Sequence, residues 1–267
     1  RDLRPRRQDL VEGADLLDVG GVKAGPGPEV GEEEELERVL PAVEALHERF
    51  EIPLSVDTWR ASVAAEAYRA GASYVVGREP NAKYGETIDG VQLMDRHQFP
   101  DGVDPYVRPG DPSSGLLPEI GGVGVAPNGT GDRKVQAYNF RLALCQGSAR
   151  VPMERPARYD STRYELLLRL MARSPWRSLG AGFKIDRLPN GKTDWNNNGG
   201  FSTDYIGMND EYPEADYATR EKTVAAHVKY TQGLLWTLAN HARVPEKVRN
   251  SVSQWGLAKD EFVDNGN

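Results

Sequence analysis

Between Phe99 and Asp132 the chain carries six prolines and eight glycines, and no apolar spacing there lasts long enough to build a helix. A stretch of this length is more than an ordinary connection. It reads either as an ordered excursion over a ligand or partner, or as a segment whose ordering partner lies elsewhere. The texture of the sequence changes ahead of it, after Gly77. With 267 residues, 39% of them hydrophobic, there is enough apolar side chain for one large α/β domain or two modest ones.

The charge is unevenly divided. Residues 1–72 hold 9 Lys and Arg against 16 Asp and Glu, whereas residues 73–267 hold 24 of each. Neither block carries a basic field, which argues against nucleic acid as the main partner. No uninterrupted apolar run reaches the roughly 18 residues of a membrane span, and no basic-then-apolar leader is present, so no membrane partner and a cytoplasmic location are expected. The single cysteine, Cys145, excludes an intramolecular disulfide and reads as a small buried hydrophobe. No pair among His47, His97, His227 and His241 has metal-ligand spacing, so no metal is expected. Without a methionine at position 1, the chain is expected to be a piece of something longer.

The first block has a βαβαβ pattern. Strands are expected at Ala14–Val19, Ile52–Val56 and Ser73–Val76, with helices from Glu32 to Phe50 and from Arg60 to Arg69. Leu36, Val39, Leu40, Val43, Leu46 and Phe50 recur at helical spacing, and Pro41 should kink or restart that helix. In the second block, Val135–Leu144 alternates as a strand, Asp160–Arg173 reads as an N-capped helix, and Phe183–Leu188 as a strand. A long helix runs from Glu214 to about Asn240, with Tyr217, Val224, Val228, Leu235 and Leu238 on one buried face. A short helix from Pro245 to Trp255 follows.

The loop Asp18–Gly27 (DVGGVKAGPG) and Ser55–Thr58 (SVDT) both fall at carboxyl ends of parallel strands, where α/β folds place ligands. Asp57 there can accept from the N–H edge of a heterocycle, or merely cap the next helix. Together these segments resemble the N-terminal part of dihydropteroate synthase, a pterin-binding TIM barrel, across about residues 8–75. The resemblance implies that Asp18 and Asp57 are pterin-side residues, Asp57 contacting the pterin. The family's pyrophosphate-holding Thr and Arg are replaced by Ala24 and Gly25, leaving Lys23 as the nearby cation; this version looks like the divergent, inactive paralogues.

From about residue 70 a different family takes over. Ala70–Glu79 (AGASYVVGRE), Asn81–Glu86 (NAKYGE), Val135–Leu144 and above all Lys184–Gly207 (KIDRLPNGKTDWNNNGGFSTDYIG) resemble a bacterial FAD-dependent oxidoreductase family, and the likeness runs to Asn267. It implies hydride transfer from a small polar substrate to a flavin. Asp194, Asn196, Asn197 and Asn198 present neutral or acidic donor and acceptor ends for a hydroxyl-rich or flavin-like ligand, with Asp204 and Tyr205 as further candidates. The same Asn and Gly residues serve equally as a structural turn, and Trp195 and Tyr205 as core aromatics. The strand, Gly-x-Gly-x-x-Gly turn and helix that cradle a dinucleotide are absent.

The expected architecture is thus an α/β N-terminal segment, a partial TIM-barrel-like βαβαβ over residues 1–72, joined to an α+β partial flavoprotein substrate or cap domain over residues 73–267. The join falls at Tyr68–Ala72, where both families read alike. The expected function is that of an incomplete FAD-dependent oxidoreductase with a small-molecule substrate, inactive as this chain and binding FAD weakly or not at all. The alternatives are a pterin-binding protein and a non-functional fusion.

Overall fold

The computed structural model describes residues 16–22, 30–58, 60–72, 75–121 and 124–263. The chain is mixed α/β and divides into two compact units, residues 1–75 and 76–267.

In the first unit, strands β1 (Leu17–Gly20) and β2 (Leu54–Asp57) pair in parallel, with Leu17 opposite Leu54 and Gly20 opposite Asp57. Helices α1 (Glu32–His47) and α2 (Ala61–Arg69) follow the strands. Val39, Val43, Leu46, Leu54 and Ala67 form the core, each Val or Leu contributing about 1.5–3 kcal/mol by leaving water. Contrary to the expected kink, α1 runs unbroken through Pro41. Pro41 and Glu37 are both exposed, so the carbonyl that loses its donor can turn to water. The expected third strand is not completed: Val75 and Val76 are not in a strand, and Ser73 and Tyr74 lie outside the described residues, as do Ala14 and Asp15 of the first.

The second unit is built on an antiparallel sheet in the order β4-β7-β3-β6-β5. Its strands are β3 (Leu142–Gln146), β4 (Arg150–Pro152), β5 (Phe183–Arg187), β6 (Thr193–Asn197) and β7 (Trp255–Ala258). β5 and β6 form a hairpin closed by Pro189, Asn190 and Gly191; Asn190 and Gly191 hold φ of 60° and 72°, the left-handed conformation these two residue types tolerate best. Strand alternation puts Leu142, Leu144, Phe183, Ile185, Thr193, Trp195 and Leu257 on one face. They share one core with α4 (Glu165–Arg173), α5 (Tyr217–Asn240) and α6 (Glu246–Val252). The single-turn α3 (Asn81–Tyr84) lies earlier in the chain. Trp195, fully buried, packs at 4.8 Å from Phe183 and 5.4 Å from Trp255.

Three expectations in this unit are corrected. The strand expected over Val135–Leu144 begins only at Leu142, because the backbone before it is held by side chains: Val135 N donates to Asp210 Oδ1 and Tyr138 N to Asn209 Oδ1. Helix α5 does not bury the whole face expected: Tyr217, Val224 and Val228 are exposed, and burial is concentrated from His227 to Leu238. The helix expected to reach Trp255 stops at Val252, since Trp255 enters β7, whose register with β3 and β4 had no local signal. Asp160 does cap its helix start, accepting from Thr162 N, and Cys145 is buried.

Candidate functional site

The Asn-rich segment, which offers itself equally as a ligand-facing set and as a structural turn, is for the most part a strand. Thr193–Asn197 forms β6 between β3 and β5, so its polar ends are divided by strand alternation. Asp194 and Asn196 face away from the helix-covered side; Thr193, Trp195 and Asn197 face toward it. Asp194 is committed to Arg141, which meets it with Nε and Nη2. Asn196 Oδ1 accepts from Asn139 Nδ2 at 2.8 Å, and Asn198 Nδ2 donates to the Gly180 carbonyl at 2.6 Å. Trp195 is a core residue; its indole N–H donates to Thr193 Oγ1, whose hydroxyl donates to the Leu144 carbonyl, both at 2.9 Å.

Asn197, Asp204 and Tyr205 belong to a polar cluster beyond the end of β6. Asn197 Nδ2 donates to Asp204 Oδ2 at 2.5 Å. Burial raises the Asp204 carboxyl above its ordinary value, while the Asn197 hydrogen bond and nearby His97 act in the opposite direction. His97 reaches the same strand end, its Nδ1 accepting from Gly199 N at 3.1 Å. Tyr205 is buried and stacks on Tyr230 at 4.2 Å with the rings 7° apart. Its hydroxyl accepts from Arg163 Nη2 at 2.9 Å and donates to Glu119 Oε1 at 3.3 Å. Burial, and then the Glu119 charge, raise the Tyr205 phenol.

His97 and Glu119 both hold positive φ, 59° and 70°. For side chains other than glycine this conformation stores strain, and such strain clusters at functional sites. Asn139, Glu119 and Arg163 are not among the residues the sequence singles out, and His97 enters the sequence analysis only as one of four histidines without metal-ligand spacing. Asn139 lay inside one of the recognisable segments, but nothing local marks Glu119 or Arg163, which reach the site only through the tertiary fold.

In the first unit, Asp18 and Asp57 lie on the same face of the β1–β2 pair, opposite the face packed against α1. Both are exposed, and Asp57 ends its strand. Lys23 lies outside the described residues. Glu35 of α1 is fully buried and paired with Arg60. Among the described residues no group of three or more His, Cys, Asp or Glu is placed to hold a metal ion, and no helix is long and apolar enough to cross a membrane.

A dinucleotide pyrophosphate needs a parallel strand, a glycine turn and a helix N-terminus free of negative charge. The described residues do not supply all three together. The second unit's sheet is antiparallel throughout; in the first unit the helix that follows β1 opens with Glu32, Glu33, Glu34 and Glu35, and α2, which follows β2 without an acidic first turn, is entered through the sequence DTWR at positions 57–60, which holds no glycine.

Comparison with known proteins divides the chain in two. A model described as FAD dependent oxidoreductase matches residues 61–267, and one described as pterin binding enzyme matches residues 4–77. The two overlap across residues 61–77, the interval that contains Tyr68–Ala72, as in a two-part chimera. The dihydropteroate synthase of Clostridium beijerinckii is 52% identical over 70 residues, 26% of this chain and 26% of its own. The inactive dihydropteroate synthase 2 of Mycobacterium leprae is 49% identical over 67 residues, 25% of this chain and 23% of its own. A crystal structure of the Yersinia pestis dihydropteroate synthase with a sulfonamide drug is 53% identical over 25% of this chain and 24% of its own, with a TM-score of 0.24. The chain thus spans about a quarter of the length of these relatives.

Proposed function

The chain belongs to the FAD dependent oxidoreductase family, and from that premise we propose that residues 73–267 are the substrate-binding side of such an enzyme rather than its nucleotide-binding side. The observation that carries this reading is the half-buried Asp204 carboxyl. It is held by Asn197 from β6 and lies next in sequence to Tyr205, whose hydroxyl is fixed by Glu119 and Arg163. A carboxyl kept protonated to higher pH donates a hydrogen bond, and the amides donate or accept without charge. Together they suit the hydroxyl and carbonyl groups of a small polar substrate. The flavin chemistry of the family is supplied by the bound FAD; this chain's described residues lack a cradle for its pyrophosphate, so we take the chain to be an incomplete member that binds FAD weakly or not at all.

The test uses a full-length member of the family, with alanine placed at the residue aligned with Asn197 and asparagine at the one aligned with Asp204. The expected result is a fall in kcat/KM with bound flavin unchanged. Loss of flavin with unaltered kinetics of the remaining holoenzyme would assign the cluster to the cofactor instead.

A second reading concerns residues 1–72, as a divergent partial barrel. Asp57 ends β2 on an exposed sheet face, as a carboxylate accepting from the N–H edge of a pterin ring requires. Asp18 lies on the same face, and Lys23 follows the glycine pair at the end of β1. Titration with a fluorescent pterin tests it. Binding that is lost in Asp57→Ala supports the reading, and equal binding to both chains removes it.

A further inference from the structure

Three Asn-Gly pairs lie among the described residues, at 128–129, 190–191 and 198–199. In such a pair the glycine nitrogen can attack the carbonyl carbon of the asparagine side chain and close a five-membered ring, because glycine has no side chain to crowd the closure. The nitrogen must give up its proton to do so, and the acceptor of its N–H therefore decides the reaction. Gly129 N donates to the Val91 carbonyl at 2.8 Å, and Asn128 Oδ1 accepts from Leu93 N at 2.6 Å. A carbonyl holds such a proton in place rather than removing it. No histidine accepts from Gly191 N among the described residues.

Gly199 differs. Its N–H donates to His97 Nδ1 at 3.1 Å, so the neutral ring carries its own hydrogen on Nε2 and presents the Nδ1 lone pair to the glycine nitrogen. The fold imposes this contact. His97 holds φ of 59°, a conformation its local sequence does not favour. A Cβ at Gly200 would fall 3.1 Å from the Gln98 carbonyl carbon, and one at Gly199, where φ is 81°, 2.6 Å from the Ala181 carbonyl oxygen. The backbone after His97 is thus seated directly on the glycine pair. Asn198 Nδ2 donates to the Gly180 carbonyl at 2.6 Å, which holds the amide in one orientation. Since Asn198 is bonded to the Gly199 nitrogen, ring closure needs only rotations within Asn198.

We propose that Asn198 is a self-modifying site in which His97 is the base. His97 Nδ1 takes the proton from Gly199 N, the nitrogen bonds to the side-chain carbonyl carbon of Asn198, and the amide nitrogen leaves with that proton as ammonia. Water then opens the succinimide to aspartate or isoaspartate; no oxidant, metal or cofactor takes part. The product carboxylate cannot donate to the Gly180 carbonyl, so this side-chain link is lost, and a negative charge appears next in sequence to Asn197, the partner of Asp204. The proposal does not depend on the oxidoreductase reading, since it needs neither flavin nor substrate.

The full chain is incubated in ¹⁸O water at neutral pH, and the peptides holding the three pairs are followed by mass spectrometry for conversion of asparagine with uptake of ¹⁸O. Asn198 is expected to convert about ten times faster than Asn190, and Asn128 slowest of the three. His97→Asn keeps a residue type that tolerates positive φ and removes the base. It is expected to bring the Asn198 rate down to that of Asn190, whose own rate does not change. In concentrated urea Asn198 and Asn190 of the parent chain are expected to convert alike, since His97 no longer sits on Gly199. An Asn198 rate no greater than that of Asn190 in the folded chain, an unchanged Asn198 rate in His97→Asn, or an advantage of Asn198 that persists in urea would each overturn the proposal.

Discussion

Asn197 and Asp204 face each other at 2.5 Å, the amide at the last position of a strand donating to a carboxyl whose burial favours its protonated form. The folded chain therefore holds this proton more tightly than the unfolded one. Its contribution to stability is complete below the ordinary value of 3.8 and is lost as pH rises through the raised folded value. Asp204→Asn keeps an acceptor for Asn197 and removes the titration. The thermal midpoint of Asp204→Asn minus that of the parent is expected to grow between pH 4 and pH 7; a difference that stays flat across this range would contradict the assignment.

Asp132 supplies the opposite sign. Its hydrogen bonds from Arg78 hold the carboxyl below its ordinary value, so its contribution is present above 3.8 and lost as pH falls through the lower folded value. Both partners are partly exposed, which limits the effect to about 1 kcal/mol or less. Asp132→Asn is expected to be slightly less stable than the parent at pH 7 and to converge with it on acidification, as read by urea unfolding at each pH.

Gly233 lies inside α5, where alanine ordinarily gains about 1 kcal/mol over glycine. Here a Cβ would fall 2.1 Å from the Tyr164 hydroxyl oxygen, which donates to the Tyr230 carbonyl at 2.9 Å. Displacing that ring costs more than the helix gains, so Gly233→Ala is expected to destabilise by about 1–3 kcal/mol in urea unfolding. A stabilised variant would show that the Tyr164 ring is not held there.

Thr193→Val keeps the shape of the side chain but leaves the buried Trp195 indole N–H without its acceptor and removes the donor to Leu144. A loss of about 1–3 kcal/mol is expected, together with a shift in tryptophan fluorescence.

How far the sequence showed this in advance differs by element. Helices α1 and α4 were legible because Val39, Val43 and Leu46, and Leu167, Leu168 and Met171, recur at the spacing that one buried face imposes. The exposed start of α5 was not, since Val224 and Val228 share that spacing yet stay exposed. The Asn-rich segment shows in the sequence as a place of polar groups, with ligand-facing and turn readings both open, but not as a strand. Asn and Gly favour turns locally, whereas β6 is fixed by its ladders to Leu142–Leu144 and Phe183–Arg187, which no local pattern announces. Glu119 and Arg163 come to Tyr205 from residues 86 and 42 positions away, a proximity only the tertiary fold creates.

The central claim is that this chain carries the substrate side of its family's site without a cradle for the dinucleotide. Thermal unfolding of the whole chain with and without saturating FAD tests it most directly, because a ligand that binds only the native state must raise the midpoint. The account predicts a cooperative transition that FAD does not move. A midpoint that rises with FAD concentration would contradict it and place a nucleotide site within these residues.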